Sequence, residues 1–582
     1  MTDMDTKQNC FMSTLARLKE SSNDAVVSAD FTDSYMIYMH VDRPVQEDFS
    51  NVLKKANESN EAELILLCGS VGDGKSHILS YCRHLYPDIM NQFYVHNDST
   101  ASLYSDKPAS YTLFEILEEF SDEKIDSSKQ KTIIAINLGT LNNFLEADAQ
   151  NRFKRLKKYV QEIGILDGQK KVCEETQHFH SVNFADYHLY ELTNAGPTSD
   201  YLLKLLKKIT SEDVNNVYYQ GYCECCATCE SAKVCPVKAN FDLLSNELIQ
   251  KGIAKVIIEN IVKNKMLIST RKLLNFIYEI IVDERVLDVG SFAPRKQPQK
   301  INTIEYINAL LPNMLFGRTN ASEVFKSISL NDPMKIRNEE VDSFFVEYEN
   351  TQDVFKIFSG DLYEYEYLLE KFIDKDISEP SMYTVKSALR QLYIRLCWLT
   401  NKRTDLLPED EDYKEYMAAL YAWNREDVHA LKSVCVNIGR ALMAWNGQAN
   451  KGEMQLNVGN NQSQYHLFQN IELKPNYLGF VKKQDEVLSA FKDELVLRFD
   501  STGISLDLEI DYALFSLLKK VTKGYVPNSS DKKMNIKCVE FIKRISQGGS
   551  KMDKVFIRDL SQKQIKEYLL TFDGIDYLFE VN

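Results

Sequence analysis

The chain has 582 residues, with 69 Lys and Arg against 84 Asp and Glu, which gives a formal net charge of −15 and a pI near 5.3. This length predicts roughly three or four domains and enough buried core to need no covalent staple. The acidic balance argues against a surface coated throughout with DNA-binding charge, although it leaves room for a local basic groove.

The N-terminal sequence, MTDMDTKQNC, is polar and acidic and does not have the pattern of a signal peptide. No apolar run approaches the length of a membrane span. Single cysteines in apolar segments, such as Cys68, Cys82 and Cys397, are typical of reduced thiols in a cytosolic core. We therefore expect a cytoplasmic protein that works with partners and not at a membrane. Residues 1–60 have weak to moderate helical periodicity and predict an N-terminal helical segment.

The next stretch contains a motif with a defined chemistry. The apolar run Leu64 to Cys68 predicts a short buried strand, and a helical pattern follows the loop and stops at Pro87. Between them, GSVGDGKS satisfies the phosphate-loop pattern G-x-x-x-x-G-K-[ST]. The predicted loop residues are Gly69, Ser70, Val71, Gly72, Asp73, Gly74, Lys75 and Ser76. Strand, glycine loop and helix together are the context that this motif needs.

The residue types explain why this spacing suits phosphate. Glycines allow backbone conformations that bring several N–H groups onto one anion, and the start of the helix adds its positive end. Lys75 is expected to reach the β- and γ-phosphates, and the Ser76 hydroxyl is expected to hold Mg²⁺. The sequence therefore predicts that the chain binds ATP with Mg²⁺.

Apolar strands alternate with helices after the loop. Strand patterns at 93–98, 132–137 and 179–184 predict a parallel sheet covered on both faces. Ligands of such sheets bind at the carboxyl ends of the strands. We therefore expect Asp98, Asn137 and Asn183 to lie at the edge that carries the site.

The expected metal-binding acid is not obvious. A Walker B strand should end in Asp, but the most apolar strand, 132–136, is followed by Asn137. In one interpretation Asn137 is a sensor of the γ-phosphate and Asp98 supplies the carboxylate. In the other, the site hydrolyses weakly and works as a nucleotide-gated switch. The Asn-Asp-Ser sequence around Asp98 also fits an ordinary turn.

A basic stretch and several arginines are further candidates. The helix predicted at 151–160 exposes five basic residues, which suit either a nucleic-acid backbone or a solvated face. Arg271 lies in the first turn of a capped helix and is a candidate sensor of the γ-phosphate, or else a surface arginine. Four arginines of the helical region are available to act in trans in an oligomer: Arg318, Arg337, Arg390 and Arg395.

A second distinctive stretch is rich in cysteine. Five of the twelve cysteines lie within thirteen residues, and the predicted metal ligands among them are Cys223, Cys226, Cys229 and Cys235. Clustered thiols in a reducing compartment favour a metal over disulfides. Tetrahedral zinc, an iron–sulfur cluster and unligated thiols in a loop are the three interpretations. Whether Cys225 or Cys226 is the spectator is left open.

The pattern as a whole predicts an α/β fold with a P-loop NTPase sheet at 61–285, interrupted by a cysteine-rich insertion at about 215–240. Helical patterning then dominates residues 286–445. The stretch 446–464 is polar and rich in turn residues, which predicts a loop. Alternating residues at 495–510 predict a hairpin, so that 446–582 forms a smaller α+β accessory domain.

Several of these stretches resemble one family. The loop GSVGDGKSH, the strand FYVHNDS, the run IIAINLGTLNNF, the cysteine cluster ending in Cys-Pro, and STRKLLNFIYEI are similar to the DptF family. That family is the ATPase-like component of the DNA phosphorothioation-dependent restriction system of bacteria. The resemblance covers most of residues 60–285 by motif and the remainder by general layout.

The resemblance implies a role in defence. Together with the G and H components of the same system, such a protein restricts DNA that lacks the protective sulfur modification. The site residues carried over are those of the loop from Gly69 to Ser76. Since no spaced nuclease motif is evident, cleavage is expected to belong to a partner. The alternative from another class is a nucleotide-gated scaffold that binds ATP without useful turnover and organises nuclease or translocase partners.

Overall fold

The computed structural model describes residues 10–19, 34–70, 72–97, 109–166, 177–285, 301–370, 379–456, 465–501, 503–548, 554–559, 566–572 and 575–581. The chain has a mixed α/β fold that divides into two compact units. The first comprises Met1–Tyr190 and Thr198–Pro408, and the second comprises Glu191–Pro197 and Glu409–Asn582. The four predicted segments are a finer division, which these units do not test.

A four-stranded parallel sheet organises the first part of the chain. Its strands are β1 (Glu63–Cys68), β2 (Tyr94–His96), β3 (Lys131–Ile136) and β4 (Phe179–Asn183). The order is β2-β3-β1-β4, and all three pairings are parallel. The predicted parallel sheet is therefore confirmed, and β1, the strand before the predicted phosphate loop, has an inner position.

The continuous apolar character of β1 follows from burial on both faces. Leu64, Leu66 and Cys68 belong to one apolar cluster, whereas Ile65 and Leu67 belong to another. The helices Pro44–Glu58, Lys75–Leu85 and Pro87–Met90 contribute to the second cluster. The helices Ala109–Ile116, Leu138–Ala147 and Lys154–Glu162 contribute to the first. Successive side chains of a strand point to opposite faces, so each face needs its own helical cover.

The remaining helices of the first unit share one large apolar core. They are Phe11–Leu15, Ser34–Met39, Asp200–Thr210, Val217–Ala227, Pro236–Leu244, Glu247–Asn264, Thr270–Ile281, Thr303–Asn308, Leu311–Gly317, Glu323–Leu330, Glu339–Asn350 and Glu379–Thr400. Short 3-10 turns lie at Ala16–Leu18, Glu118–Phe120, Phe184–Asp186, Ala232–Val234, Pro333–Lys335, Lys356–Phe358 and Tyr363–Leu368. The predicted N-terminal segment therefore serves two cores, since Phe11 packs among these helices while Val45 packs on the sheet.

The second unit is built from antiparallel strands and five helices in its described part. The helices are Glu411–Asn424, Val428–Met443, Tyr512–Thr522, Ser529–Met534 and Ile536–Gly548. One sheet has the order β15-β14-β13-β8-β7, with strands Tyr577–Val581, Lys566–Phe572, Lys554–Asp559, Tyr465–Asn470 and Glu453–Leu456. A second has the order β12-β11-β9, with strands Ile504–Ile510, Leu495–Ser501 and Lys474–Asn476. A third has the order β10-β5-β6, with strands Val487–Leu488, Glu191–Thr193 and Gly196–Thr198.

The hairpin predicted at 495–510 is confirmed, since β11 and β12 pair in antiparallel register from Leu495↔Ile510 to Ser501↔Ile504. The loop predicted at 446–464 is wrong in part, because Glu453–Leu456 forms an edge strand paired with β8. This strand is short and partly polar, so its pairing comes from its neighbour and not from a strong local pattern. Within the described ranges, no helix combines the length and apolar character needed to cross a bilayer.

Candidate functional site

The predicted phosphate loop joins the end of β1 to the start of the helix Lys75–Leu85. The Gly69 N–H donates to the Ile136 carbonyl at 3.2 Å, which ties the loop to the end of β3. Gly72 and Gly74 have φ values of +86° and +100°. The positive φ of Gly72 favours glycine, and a Cβ there would also make a tight contact of 3.1 Å with Ser269 Oγ.

Lys75 lies folded over the beginning of the loop. Its Nζ donates to the carbonyl of Gly69 at 2.8 Å and to the carbonyl of Ser70 at 2.7 Å. The buried Cys68 thiol lies beneath, and burial raises its pKa to about 12. The ammonium is therefore held at the loop by backbone oxygens, and the nearby thiol stays neutral at ordinary pH.

Two residues make hydrogen bonds with the loop backbone: Asp73, which belongs to the loop, and Arg43, which lies outside it. The Ser70 N–H donates to the Asp73 carboxylate at 2.5 Å. Burial raises the pKa of Asp73, against the opposing hydrogen bond from Ser70 and the charge of Lys75. Arg43 donates to the Asp73 carbonyl at 3.2 Å, and its guanidinium lies 5.5 Å from the ring centroid of Phe184.

Sequence reasoning missed Arg43. It precedes the helix Pro44–Glu58, and no local motif distinguishes it from other arginines. Its guanidinium also lies 5.2 Å from the Tyr201 ring centroid, far along the chain. Only the tertiary fold brings these groups to the loop.

Ser76 connects the loop helix to the second predicted strand. Its Oγ donates to Asn97 Oδ1 at 3.1 Å, and Asn97 directly follows β2. The Asn-Asp signal after this strand led sequence reasoning to Asp98, whereas the contact falls on the preceding residue. Asp98 and the loop residue Val71 lie outside the described residues.

Asn137 and Asn183 lie at the carboxyl ends of β3 and β4, where the parallel sheet was expected to place them. The Asn137 side chain accepts a hydrogen bond from the Thr140 N–H at 2.7 Å and caps the helix Leu138–Ala147. The Asn183 side chain accepts from the Ala185 N–H at 3.2 Å. Both amide oxygens therefore serve the local backbone, which is a common use of asparagine at a helix start.

Arg271 lies beside the phosphate loop. Ser269 caps the helix Thr270–Ile281 by accepting from the Lys272 N–H at 3.4 Å. The Arg271 Cβ would be 3.5 Å from a Cβ placed at Gly72. The structure thus brings together the loop and the candidate sensor, which are about 200 residues apart in the chain.

A pair of histidines adjoins the loop helix and was not anticipated. His40 Nδ1 and His77 Nε2 are 2.8 Å apart, and the His40 ring stacks on Tyr81 with centroids 3.7 Å apart. Burial lowers the pKa of His77 to about 4, and the charges of His40 and Arg43 act in the same direction. His77 is therefore neutral at ordinary pH, and the pair joins the chain before Pro44 to the loop helix.

Acidic partners neutralise much of the basic helix Lys154–Glu162. Arg155 pairs with Asp126 at 2.8 Å, and Lys158 pairs with Glu162 at 3.5 Å. Lys154 and Lys157 are exposed. These pairs favour the solvated-face interpretation over a nucleic-acid contact.

All four arginines considered for action in trans make contacts inside the first unit, and three of them bind polar partners there. Arg395 is 5% exposed and pairs with Asp332 at 2.6 Å. Arg318 donates to the Glu279 carbonyl at 2.6 Å, and Arg390 pairs with Glu349 at 2.8 Å. Arg337 lies with its guanidinium 5.7 Å from the Phe345 ring centroid. These contacts explain the three arginines without a second chain.

The cysteine segment is helical where a loop was considered. Cys223, Cys225 and Cys226 lie on the helix Val217–Ala227, which begins with an Asn216 cap on the Tyr218 N–H at 3.0 Å. The helix forms because it is capped and because Tyr218 and Gly221 face the core. The exposed Cys223 has Tyr219 as its neighbour, since a hydrogen bond with Cys223 is the first cause that raises the pKa of Tyr219.

The four predicted metal ligands are spread over a helix, the turn that follows it and the start of the next helix. In the part of the chain that the structure describes, no three or more His, Cys, Asp or Glu residues are grouped to hold a metal ion. Cys229 follows the cysteine-bearing helix, and Cys235 occupies the N-cap position of the helix Pro236–Leu244. Cys223 and Cys226 are three residues apart and share one face of their helix, whereas Cys229 and Cys235 lie beyond its end.

No family model matches this chain, and no match appears among the curated proteins or among the solved structures.

Proposed function

We propose that this chain binds ATP with Mg²⁺ at the loop from Gly69 to Ser76 and uses the nucleotide within a DNA restriction complex. One observation carries the proposal, namely the geometry of the loop. Two glycines have positive φ, the Lys75 ammonium lies over the loop, and the Ser76 hydroxyl stands at the start of the helix. Lys75 would hold the β- and γ-phosphates, Ser76 would hold Mg²⁺, and the helix start would stabilise the negative charge.

The strand order supports a P-loop ATPase of the additional-strand class. In such sheets one strand is inserted between the loop strand and the strand that leads to the metal-binding acid. Here β3 lies between β1 and β2, and Asp98 follows β2 in the sequence. Asp98 is therefore our choice for the acid by analogy of fold, and the Asn97 contact brings this chain end to Ser76.

The resemblance to the DptF family supports the biological setting. In this proposal the protein works with the G and H components on DNA that lacks phosphorothioate modification, and ATP drives or gates assembly on that DNA. The net charge of −15 suits a subunit whose DNA contacts come from partners or from a limited basic surface.

A second function, a nucleotide-gated scaffold, is favoured by a specific observation. Asn137 uses its side-chain oxygen to cap a helix, and Ser76 meets the neutral amide of Asn97. Neither amide can act as a general base. Such a scaffold would bind ATP, turn it over poorly, and organise nuclease or translocase partners.

Nucleotide binding and turnover test both functions. We would measure ATP affinity and phosphate release for the wild type, Lys75→Ala and the control Lys432→Ala, with and without unmodified duplex DNA. Lys432 is an exposed lysine of the second unit and should have no effect. Loss of the Lys75 ammonium should weaken ATP binding by roughly tenfold or more, since charged hydrogen bonds contribute about 1.5–3 kcal/mol.

The outcomes separate the proposals. Equal affinity in the wild type and Lys75→Ala would defeat the nucleotide site itself. Turnover that needs Lys75, rises with DNA and falls in Asp98→Asn would support the ATPase. Tight binding with no turnover, even with DNA and both partner components, would support the scaffold.

A further inference from the structure

The N-terminal helix Phe11–Leu15 lies directly on the cysteine-bearing helix Val217–Ala227. A Cβ at Gly221 would meet Thr14 Oγ1 at 2.8 Å, so the two backbones approach closely at this point. The Phe11 ring lies 5.8 Å from the Tyr222 ring. The two contacts indicate that the helices run antiparallel, since Thr14 meets Gly221 and the earlier residue Phe11 meets the later residue Tyr222. Cys10, which precedes Phe11, therefore lies towards the end of the second helix that carries Cys226.

A third helix end reaches the same place. Cys235 is the N-cap residue of the helix Pro236–Leu244. In that helix, Phe241 packs 5.0 Å from the ring of Phe11 and 5.0 Å from the ring of Tyr222. The start of the first helix, the end of the second and the start of the third therefore converge around one aromatic cluster.

The electrostatic neighbours of the thiols agree with this packing. Burial raises the pKa of Cys226 to about 12, and Cys235 and Cys10 act in the same direction. Burial also raises the pKa of Cys235, with Cys10 and Cys229 adding to it. Cys10 is thus a neighbour of the cluster, although it lies more than 200 residues away in the chain.

We propose that Cys10, Cys226, Cys229 and Cys235 form a structural zinc site, in which Cys10 takes the place that the sequence spacing gave to Cys223. Four thiolates close the tetrahedral shell of zinc and leave no position for a substrate. Cys226 and Cys229 supply the usual C-x₂-C pair, and the other two ligands come from two helix starts. This site is independent of the proposed nucleotide function.

Among the described residues these thiols are not already grouped for a metal ion, so zinc binding would draw them together. Cys10 and Cys229 are exposed and lie at a helix start and in an inter-helix turn, so core packing does not hold their thiols in place. Zinc–sulfur bonds are about 2.3 Å long, and each bound thiol releases a proton. The expected consequence is that zinc fixes the N-terminal helix on the helical core.

Zinc content of the full-length protein, purified under reducing conditions, tests the proposal. We expect about one zinc per chain in the wild type and in the matched control Cys223→Ser, and loss of zinc in Cys10→Ser and Cys226→Ser. Cys10→His keeps a zinc ligand at the same position and should restore binding. Chelation should lower the Tm of the wild type and of Cys223→Ser, but not that of Cys10→Ser.

Several results would overturn the proposal. These are zinc retained in Cys10→Ser but lost in Cys223→Ser, a wild type that holds no zinc, thiols paired as disulfides, or iron with acid-labile sulfide. Far-UV circular dichroism and ATP affinity identify a variant that has merely unfolded. If Cys10→Ser unfolds, failure of Cys10→His to bind zinc would still contradict the assignment of Cys10 as a zinc ligand.

Discussion

The phosphate loop and the cysteine segment are both short stretches in which spacing suggested a ligand, but the structure treats them differently. In the loop, Gly69 to Ser76 stay together because they are consecutive and positive φ at two glycines closes the turn. In the cysteine segment, the predicted ligands lie on a helix and beyond its end, and packing between distant parts of the chain brings Cys10 near Cys226. Spacing predicts local geometry when the residues are consecutive, and it predicts less when side chains from separate elements must converge.

The largest expected effect is a loss of ATP affinity when the predicted phosphate loop is altered. Gly72→Ala forces a side chain into φ +86° and towards Ser269 Oγ. A strained residue of this kind costs about 1–3 kcal/mol, so ATP affinity should fall roughly tenfold or more. Gly360→Ala is the matched control, since a Cβ there meets no atom within 4 Å and its φ is not positive. The zinc content of the wild type, Gly72→Ala and Gly360→Ala should be the same. An ATP affinity of Gly72→Ala equal to that of the wild type would contradict the loop geometry.

A second change affects the helix that carries Cys223, Cys225 and Cys226. Gly221→Ala places a Cβ 2.8 Å from Thr14 Oγ1 and should push the N-terminal helix away. Such overpacking costs about 1–3 kcal/mol in unfolding free energy, measured by urea denaturation. The double variant with Thr14→Ala removes the atoms that clash most and should recover much of the loss. A double variant as unstable as Gly221→Ala would show that this contact is not the cause, and ATP affinity should be unchanged throughout.

A third change separates the two roles considered for Asn137. Its side chain caps the helix Leu138–Ala147, so Asn137→Ala should lower the unfolding free energy by about 1 kcal/mol. Asn137→Ser keeps a capping oxygen and should retain most of that stability. If the amide also senses nucleotide, ATP turnover should fall in both variants. Equal turnover in the wild type and Asn137→Ser would leave the cap as its role.

The smallest effect concerns the amino end of the sheet, away from the loop. Burial tends to raise the pKa of Glu63, but hydrogen bonds from His180 and Ser59 and the nearby imidazoles bring it below its usual value. His180 Nε2 lies 2.7 Å from the Glu63 carboxylate. A lowered pKa in the folded state gives stability above the unfolded pKa, about 4.3, which is lost as the pH falls through the folded value.

Urea denaturation of the wild type and Glu63→Gln over a pH series measures this contribution. The variant should be less stable by about 1 kcal/mol or less at neutral pH, and the difference should shrink in acid. ATP affinity should not change. A difference that grows as the pH falls would contradict the sign of the Glu63 pKa shift.

Much of the parallel sheet could be predicted from the sequence, because continuous apolar runs marked the two buried inner strands β1 and β3 and shorter patterns marked the outer strands β2 and β4. The strands β5, β6 and β10 were missed, since they have two or three residues and pair only through partners distant in the chain. At the site, the carboxyl-end rule placed Asn137 and Asn183 correctly but said nothing of their capping bonds. No local sequence pattern identified three further residues near the loop: Arg43, His77 and Asn97.

The sequence by itself determined a glycine-rich loop between a buried strand and a helix, because local backbone preferences of consecutive residues set that geometry. Only the tertiary structure decided that Arg271 lies beside Gly72, that Asn97 meets Ser76, and that Cys10 joins the cysteine segment. These neighbours come from packing helices and strands that are far apart in the chain. That packing depends on the shape of whole apolar faces, which no short motif records.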